Sequence, residues 1–355
     1  MSQFFGINLN QEPPENTKPI NAQEAQAALD ILIPKRSPRP LIRIGGRGDG
    51  AYLLPDDLKG ISRCLSPGVN NSKHFEDELV MSHGIQCDLI DASSDVDKFT
   101  TPIIDGMQTF RKKWLDINGH NQSISISQWI SSLPDGSDNL MLQMDIEGAE
   151  YRNLLATEDK DLRKFRIIIL ELHRLAVGFS RPRVFHKVMK PLLQKLDVNF
   201  ICVHAHPNNA LGLYRPKALK TLVPRLLEVT FLRRDRFPQP SLSRLPFVSL
   251  PHPKDITNVP SRAPIFLDCP WTALPRSRES QARIIRDWLD FFHRHKRSDL
   301  FFAYSQLWLK YKLQKIISVS DLRKDNSSLN SKIDRACHML SGSKSPSDPP
   351  GKDYR

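Results

Sequence analysis

Five short β-rich apolar runs recur between residues 61 and 206: ISRCLSPGV, IQCDLIDAS, NLMLQMD, FRIIILELH and VNFICVHAH, each separated from the next by a segment long enough for a helix. Parallel strands cannot be joined by a tight turn, and a crossover of that length is normally a helix packed on the sheet. The alternation therefore predicts an α/β fold, a Rossmann-like doubly wound and mostly parallel sheet covered on both faces, over residues 41–236. In such sheets ligands sit outside the carboxyl ends of the strands. The residues that end each run therefore carry more functional information than the run itself.

The flanks read differently. Residues 1–40 are a polar, proline-bearing lead-in with one predicted helix at NAQEAQAALDILI. Residues 237–275 hold nine prolines and predict an irregular linker or strap. From 276 to 330 helical periodicity resumes as a basic amphipathic extension, with Ile284, Ile285, Trp288, Leu289 and Phe292 on one face and Phe301, Tyr304, Leu307, Trp308 and Tyr311 continuing it. Residues 331–355 are polar and of low complexity, and are expected to be disordered.

The formal charge is +12, but twelve Lys and Arg against five Asp and Glu between Arg276 and Lys324 place +7 of it in the extension. Nucleic acid is therefore not the expected partner. The basic aromatic extension is expected to cap its own protein, with self-association or peripheral membrane contact as the alternatives. No apolar stretch reaches 18 residues and the N-terminus lacks a signal-like core, so a cytoplasmic location is expected. Five scattered cysteines without a CxxC spacing argue against a disulfide framework or a zinc site.

Two sites stand out. The first run ends in a turn at Gly68, followed by a helix, a second run and Asp91, 23 residues beyond the glycine. An acid at that distance can hold ribose hydroxyls, which makes Gly68, Asn70, Glu76 and Asp91 the candidate cofactor residues. With one glycine in SPGVNNS the turn suits a cofactor without a pyrophosphate, such as S-adenosylmethionine, better than NAD. The second site is acidic. NLMLQM ends in Asp145 and Glu147, and FRIIILELH ends in Glu171 and His173. Two neighbouring strands delivering acids to one rim would hold a hard cation such as Mg²⁺ on Asp145 and Glu171, or orient a hydroxylated substrate. Glu150 falls in the first turn of the next helix and is explained by the helix dipole alone.

The segments RIGGRGDGAYLLP, SPGVNNSKHFEDEL, DLIDAS, LQMDIEGAEYRNLL, IIILELH and HAHPNNA, with LEVTFLRR, resemble in order the FkbM-type S-adenosylmethionine-dependent methyltransferases and relatives with a DGGY-like glycine-rich segment. The match runs from about Ile42 to Arg236, with Ala51 where the family has a second glycine. The resemblance implies a class I methyltransferase fold, cofactor near Gly68 and Asp91, and an acceptor facing Asp145, Glu147, Glu171 and His173. The expected activity is O-methyl transfer to a hydroxylated small molecule or glycan. His173 is the preferred base over His204 or His206, and His206, Asn208 and Asn209 of HAHPNN are candidate acceptor contacts. The rivals are a metal-dependent glycosyltransferase using DIE as its clamp and a catalytically silent binding module.

Overall fold

The computed structural model describes residues 18–297 except 119–121, 135–137, 239–244 and 274, together with Phe301 and Ser305. The expectations for 331–355 and for Tyr304, Leu307, Trp308 and Tyr311 lie outside the described residues. Strands β1 (Leu41–Ile44) and β2 (Tyr52–Pro55) form an antiparallel hairpin. Seven more strands build one sheet: β3 (Arg63–Pro67), β4 (Gln86–Ile90), β5 (Gln108–Arg111), β6 (Leu140–Met144), β7 (Phe165–His173), β8 (Phe200–Pro207) and β9 (Leu226–Arg233). The principal helices are α1 (Ala22–Leu32), α2 (His74–His83), α3 (Glu150–Ala156), α4 (Lys190–Asn199) and α5 (Arg278–Arg294).

The strands lie in the order β5-β4-β3-β6-β7-β9-β8, and only β9 runs against its neighbours. Within the sheet this is the doubly wound order 3-2-1-4-5-6 with one antiparallel strand inserted between the fifth and the sixth. The expected mixed α/β architecture with a mostly parallel sheet is present. Edge strand β5 has no counterpart among the predicted runs, because QTFR buries only Gln108 and offers no apolar pattern.

Both faces are covered, as continuous apolar strands require. All nine residues of β7 are buried, and their side chains divide by parity. Ile168, Leu170 and Leu172 join Leu142, Met144, Tyr151 and the α4 leucines on one face, while Ile167 and Ile169 meet Phe75, Leu79 and the hairpin residues Tyr52 and Leu54 on the other. Helix α1, capped by Asn21, sends Ala25, Ala28, Leu29 and Leu32 into the first of these cores. The predicted lead-in helix is thus part of the main core.

The proline-rich segment is an irregular strap, and it is anchored rather than lying on the surface. Leu250, Leu267 and Trp271 are core residues. Helix α5 buries Ile284, Ile285, Trp288 and Phe292, and it is tied to the strap through Ser277 N to Ser249 Oγ (3.0 Å) and His295 Nε2 to Ser261 O (3.1 Å). Its apolar face caps its own protein. Among the described residues no helix is long and apolar enough to cross a membrane.

The order of strands changes direction between β3 and β6, and there the two strand ends close on each other. Gly68 has φ +86°, and a Cβ on it would lie 1.7 Å from Asp145 O. Glycine here is demanded by the approach of two backbones, whatever ligand the turn serves. Gly68→Ala is expected to lower unfolding free energy by on the order of 3 kcal/mol or more, since backbone must move and the dihedral is unfavourable; urea denaturation measures it, and a loss below about 1 kcal/mol would show that the junction is pliable.

Candidate functional site

The carboxyl ends of β6, β7 and β8, with the amino end of the antiparallel β9 between the last two, carry a lateral row of polar side chains. Met144 pairs with Leu170, so Asp145, one residue on, comes level with Glu171; Glu171 pairs with Glu228, and Glu228 with His206. Paired residues point to the same face, here the face covered by the hairpin. His206 reaches this face because of a register shift between Cys202 and His204, which brings His204 opposite Thr230. A bulge of this kind reverses the side-chain parity of the rest of the strand.

The DIEGAE turn is organised by Glu150. Its side chain is fully buried, and Oε1 accepts from Ile146 N (2.9 Å), Gly148 N (3.2 Å) and His173 Nδ1 (3.1 Å). The dipole explanation for Glu150 is therefore incomplete: the residue does sit in the first turn of α3, but it also holds the turn and orients an imidazole. With Nδ1 engaged, His173 turns Nε2 toward Asp145 Oδ1 (3.8 Å) and Glu147 Oε2 (3.3 Å). Glu147, with φ +56°, is an exposed acid in a left-handed backbone conformation beside Gly148 at +106°. Asp145, Glu171 and His173 bring one ligand atom each within 4.8 Å of one another, so the expected Asp145 and Glu171 pair gains an imidazole.

Electrostatics follow from burial. Burial pushes the Asp145 carboxyl up to about 6, partly offset by its hydrogen bond with Glu171 and by the charge of His173. Glu171 is raised well above the usual carboxylate range by burial and by Asp145 beside it, so the pair favours sharing a proton. Burial works against charge on His173, yet the Glu150 hydrogen bond and the charges of Glu150, Asp145 and Glu147 outweigh it and lift the ring to about 9. His173 is thus a cation at neutral pH and not a ready base. That corrects the preference drawn from the sequence, and the cause is Glu150, which spacing alone does not place behind the ring.

On the cofactor side, Asp91 accepts from Asn70 N (2.8 Å), Ser93 N (2.7 Å) and Ser93 Oγ (2.6 Å). A carboxylate has about four acceptor positions, so one remains for a ligand. Asn70, at φ +50°, presents an exposed side chain. Asn71 was not singled out by the sequence, and its buried Oδ1 has no hydrogen-bond partner. Glu76 is 3% exposed and hydrogen-bonded to Ser66, whose hydroxyl also meets Gln143 Oε1 at 2.6 Å. Burial raises its carboxyl to about 7. It belongs to the interior under the turn rather than to an open binding surface.

The three HAHPNN candidates separate. Asn208 Nδ2 donates to Glu171 Oε1 (2.8 Å) and so stands in the site. Asn209 spends its amide on the strap, donating to Val259 O (2.9 Å) and accepting from Val259 N (2.8 Å). His206 Nε2 meets Asn258 Oδ1 (3.1 Å), and its Nδ1 is 3.7 Å from Asp255, which also binds His204 Nε2 at 2.8 Å. His206 and Asn209 therefore grip the strap and are not open acceptor contacts. Burial lowers His204 to about 4; for His206 burial is outweighed by Asp255, giving about 9. The glycine-rich segment is the hairpin loop between β1 and β2. Arg43 holds it through Gly46 O (2.8 Å) and Gly48 O (3.1 Å), and Asp49 Oδ1 accepts from Asn258 (2.9 Å) and Asn208 (3.4 Å) above the row.

Neither protein-family models nor curated proteins yield a match to this chain.

The two raised imidazoles make stability depend on pH. His173 and His206 have folded values near 9 against 6.5 for an ordinary imidazole, so their contribution to stability is complete below 6.5 and is lost as pH rises through 9. Each is worth on the order of 2 to 3 kcal/mol. The urea midpoint should fall between pH 7 and pH 9, and Glu150→Gln should flatten that fall while lowering stability at pH 7. An unchanged slope in the variant would remove Glu150 as the source of the His173 shift.

Proposed function

We propose that the chain is an S-adenosylmethionine-dependent O-methyltransferase acting on a hydroxylated small molecule or glycan-type acceptor, of the class I type that the FkbM-like motifs suggest. The observation that carries the proposal is the topological switch point between β3 and β6. There the Gly68 turn and Asp91 stand on one side, and Asp145, Glu171 and His173 on the other.

Two features favour this reading over its rivals. The amides of Ile146 and Gly148, which begin the DIEGAE helix and would be the natural cradle for a phosphate, are occupied by Glu150. That weighs against a nucleotide-sugar diphosphate at DIE. The antiparallel strand β9 sets the sheet apart from the plain dinucleotide order, and SPGVNNS has a single glycine, which weighs against NAD.

When bound, the cofactor supplies an electrophilic methyl group on a sulfonium. Asp91 offers its remaining acceptor position to the ribose, and Asn71 Oδ1 offers an unpaired acceptor nearby. Asp145, ionised above about 6, would take the proton of the acceptor hydroxyl as that oxygen is methylated. His173, already protonated, donates to the acceptor oxygen and positions it. Glu171, held by Asn208, keeps Asp145 in place.

Calorimetric titration with S-adenosylmethionine, NAD and a UDP-sugar separates the readings, and only the first should bind. Asp91→Ala should weaken that binding by about 1.5 to 3 kcal/mol, because it removes an acceptor to a polar ligand and releases the Asn70 turn. Asp145→Asn should leave affinity within a few-fold and slow single-turnover methyl transfer about 100-fold or more. Binding of NAD or UDP-sugar without S-adenosylmethionine would overturn the assignment.

A further inference from the structure

We infer that Asp145, Glu171 and His173 form a binding site for one divalent cation of intermediate softness, with Mn²⁺ its best match, and that Glu150 is the positioning residue of that site. The proposed methyl transfer requires no metal, and an ion bound here would displace the protons that His173 and the two carboxyls otherwise hold, so the inference concerns a separate metal-loaded state and is tested without methyl transfer.

Three ligand atoms from different side chains lie within 4.8 Å of one another, close enough for small side-chain shifts to bring them into one coordination sphere, in which ligands about 2.1 Å from an ion stand roughly 3 to 4.2 Å apart. Two of the three ligands are held from behind. Glu150 Oε1 takes the Nδ1 hydrogen of His173, which leaves Nε2 to face the carboxylates, and Asn208 fixes Glu171 Oε1 at 2.8 Å. Outer partners of this kind set the tautomer and the aim of metal-binding residues.

A second observation is independent of the triad. Glu150 is wholly buried, and its Oε2 has no hydrogen-bond partner. Asp145, Glu147, Glu150 and Glu171 have no Lys or Arg ion-pair partner among the described residues; His173 alone pairs with them. Four carboxyl groups around one imidazole, with one oxygen of the buried Glu150 lacking a hydrogen-bond partner, leave an excess of acidic over basic groups at this rim among the described residues. A cation between Asp145 and His173 would compensate it. The donor set chooses among cations: two carboxylates favour Mg²⁺ or Mn²⁺, one imidazole favours the transition metals, and Mn²⁺ satisfies both. Only three protein ligands are supplied, so positions stay open toward solvent, where the exposed Glu147 stands 3.3 Å from His173 Nε2.

Mn²⁺ alone, titrated into the intact chain with no S-adenosylmethionine or acceptor and followed by loss of the free-ion electron paramagnetic resonance signal, should bind at one equivalent and raise the melting temperature. Mg²⁺ should bind more weakly. Asp145→Asn, half-buried and shape-preserving, should weaken Mn²⁺ at least 10-fold without lowering the melting temperature of the metal-free protein, and Glu150→Gln should weaken it about 10- to 100-fold. His173→Gln should abolish binding; if it fails to fold, Asp145→Asn decides. No saturable binding up to about 1 mM, retained affinity in Asp145→Asn, or tighter binding of Mg²⁺ than of Mn²⁺ would each overturn the inference. A protein that binds S-adenosylmethionine but takes no Mn²⁺ loses this site and keeps the proposed function; the converse result does the reverse.

Discussion

One buried carboxylate holds the centre of this molecule together. Glu150 gathers two backbone amides and an imidazole onto a single oxygen at the start of α3. Those contacts fix the path of residues 145–149, and that path aims Asp145 at Glu171 and lets Glu147 reach His173. A charge buried this deeply is tolerated because its donors are supplied locally. The same arrangement makes His173 a cation and plugs the helix N-terminus against phosphate.

The row from Asp145 to His206 shows how a sheet can assemble a site from residues far apart in sequence. Cross-strand pairing sets Asp145, Glu171, Glu228 and His206 side by side, and the hairpin loop and strap close over them through Asp49, Asn208 and Asn258. Burial drives the carboxyls of Glu171 and Glu228 upward, while opposite charges drive His173 and His206 upward as well. Acids that keep protons and imidazoles that keep theirs are what a crowded, dry row of ionisable groups produces. His206, locked between Asp255 and Asn258, ends the row and ties it to the strap.

The strap and α5 have a clear mechanical part. Proline-rich backbone cannot make its own hydrogen-bond ladder, so its groups must find partners elsewhere. Asn209 receives Val259 N, Thr272 Oγ1 receives Leu250 N (2.6 Å), and Asp255 receives His252 N (2.7 Å). Polar residues that looked like acceptor contacts in a linear reading serve this purpose instead.

From the sequence alone, period and burial were legible. Runs such as NLMLQM and FRIIILELH are too short and too apolar for anything but central strands, and an acid after such a run must fall at a rim. The α/β class, Asp145, Glu171 and His173 as rim residues, the α1 helix and the apolar face of α5 all follow from local pattern. Tertiary structure decided the rest. The bulge before His204 turns His206 onto the polar face, the approach of β3 to β6 explains Gly68, and Glu150 meets His173 across 23 residues of chain. Edge strand β5 went unread because an edge buries too little to leave an apolar signature. Which oxygen meets which nitrogen depends on pairing and register between distant segments, and a periodicity read along one chain carries no information about either.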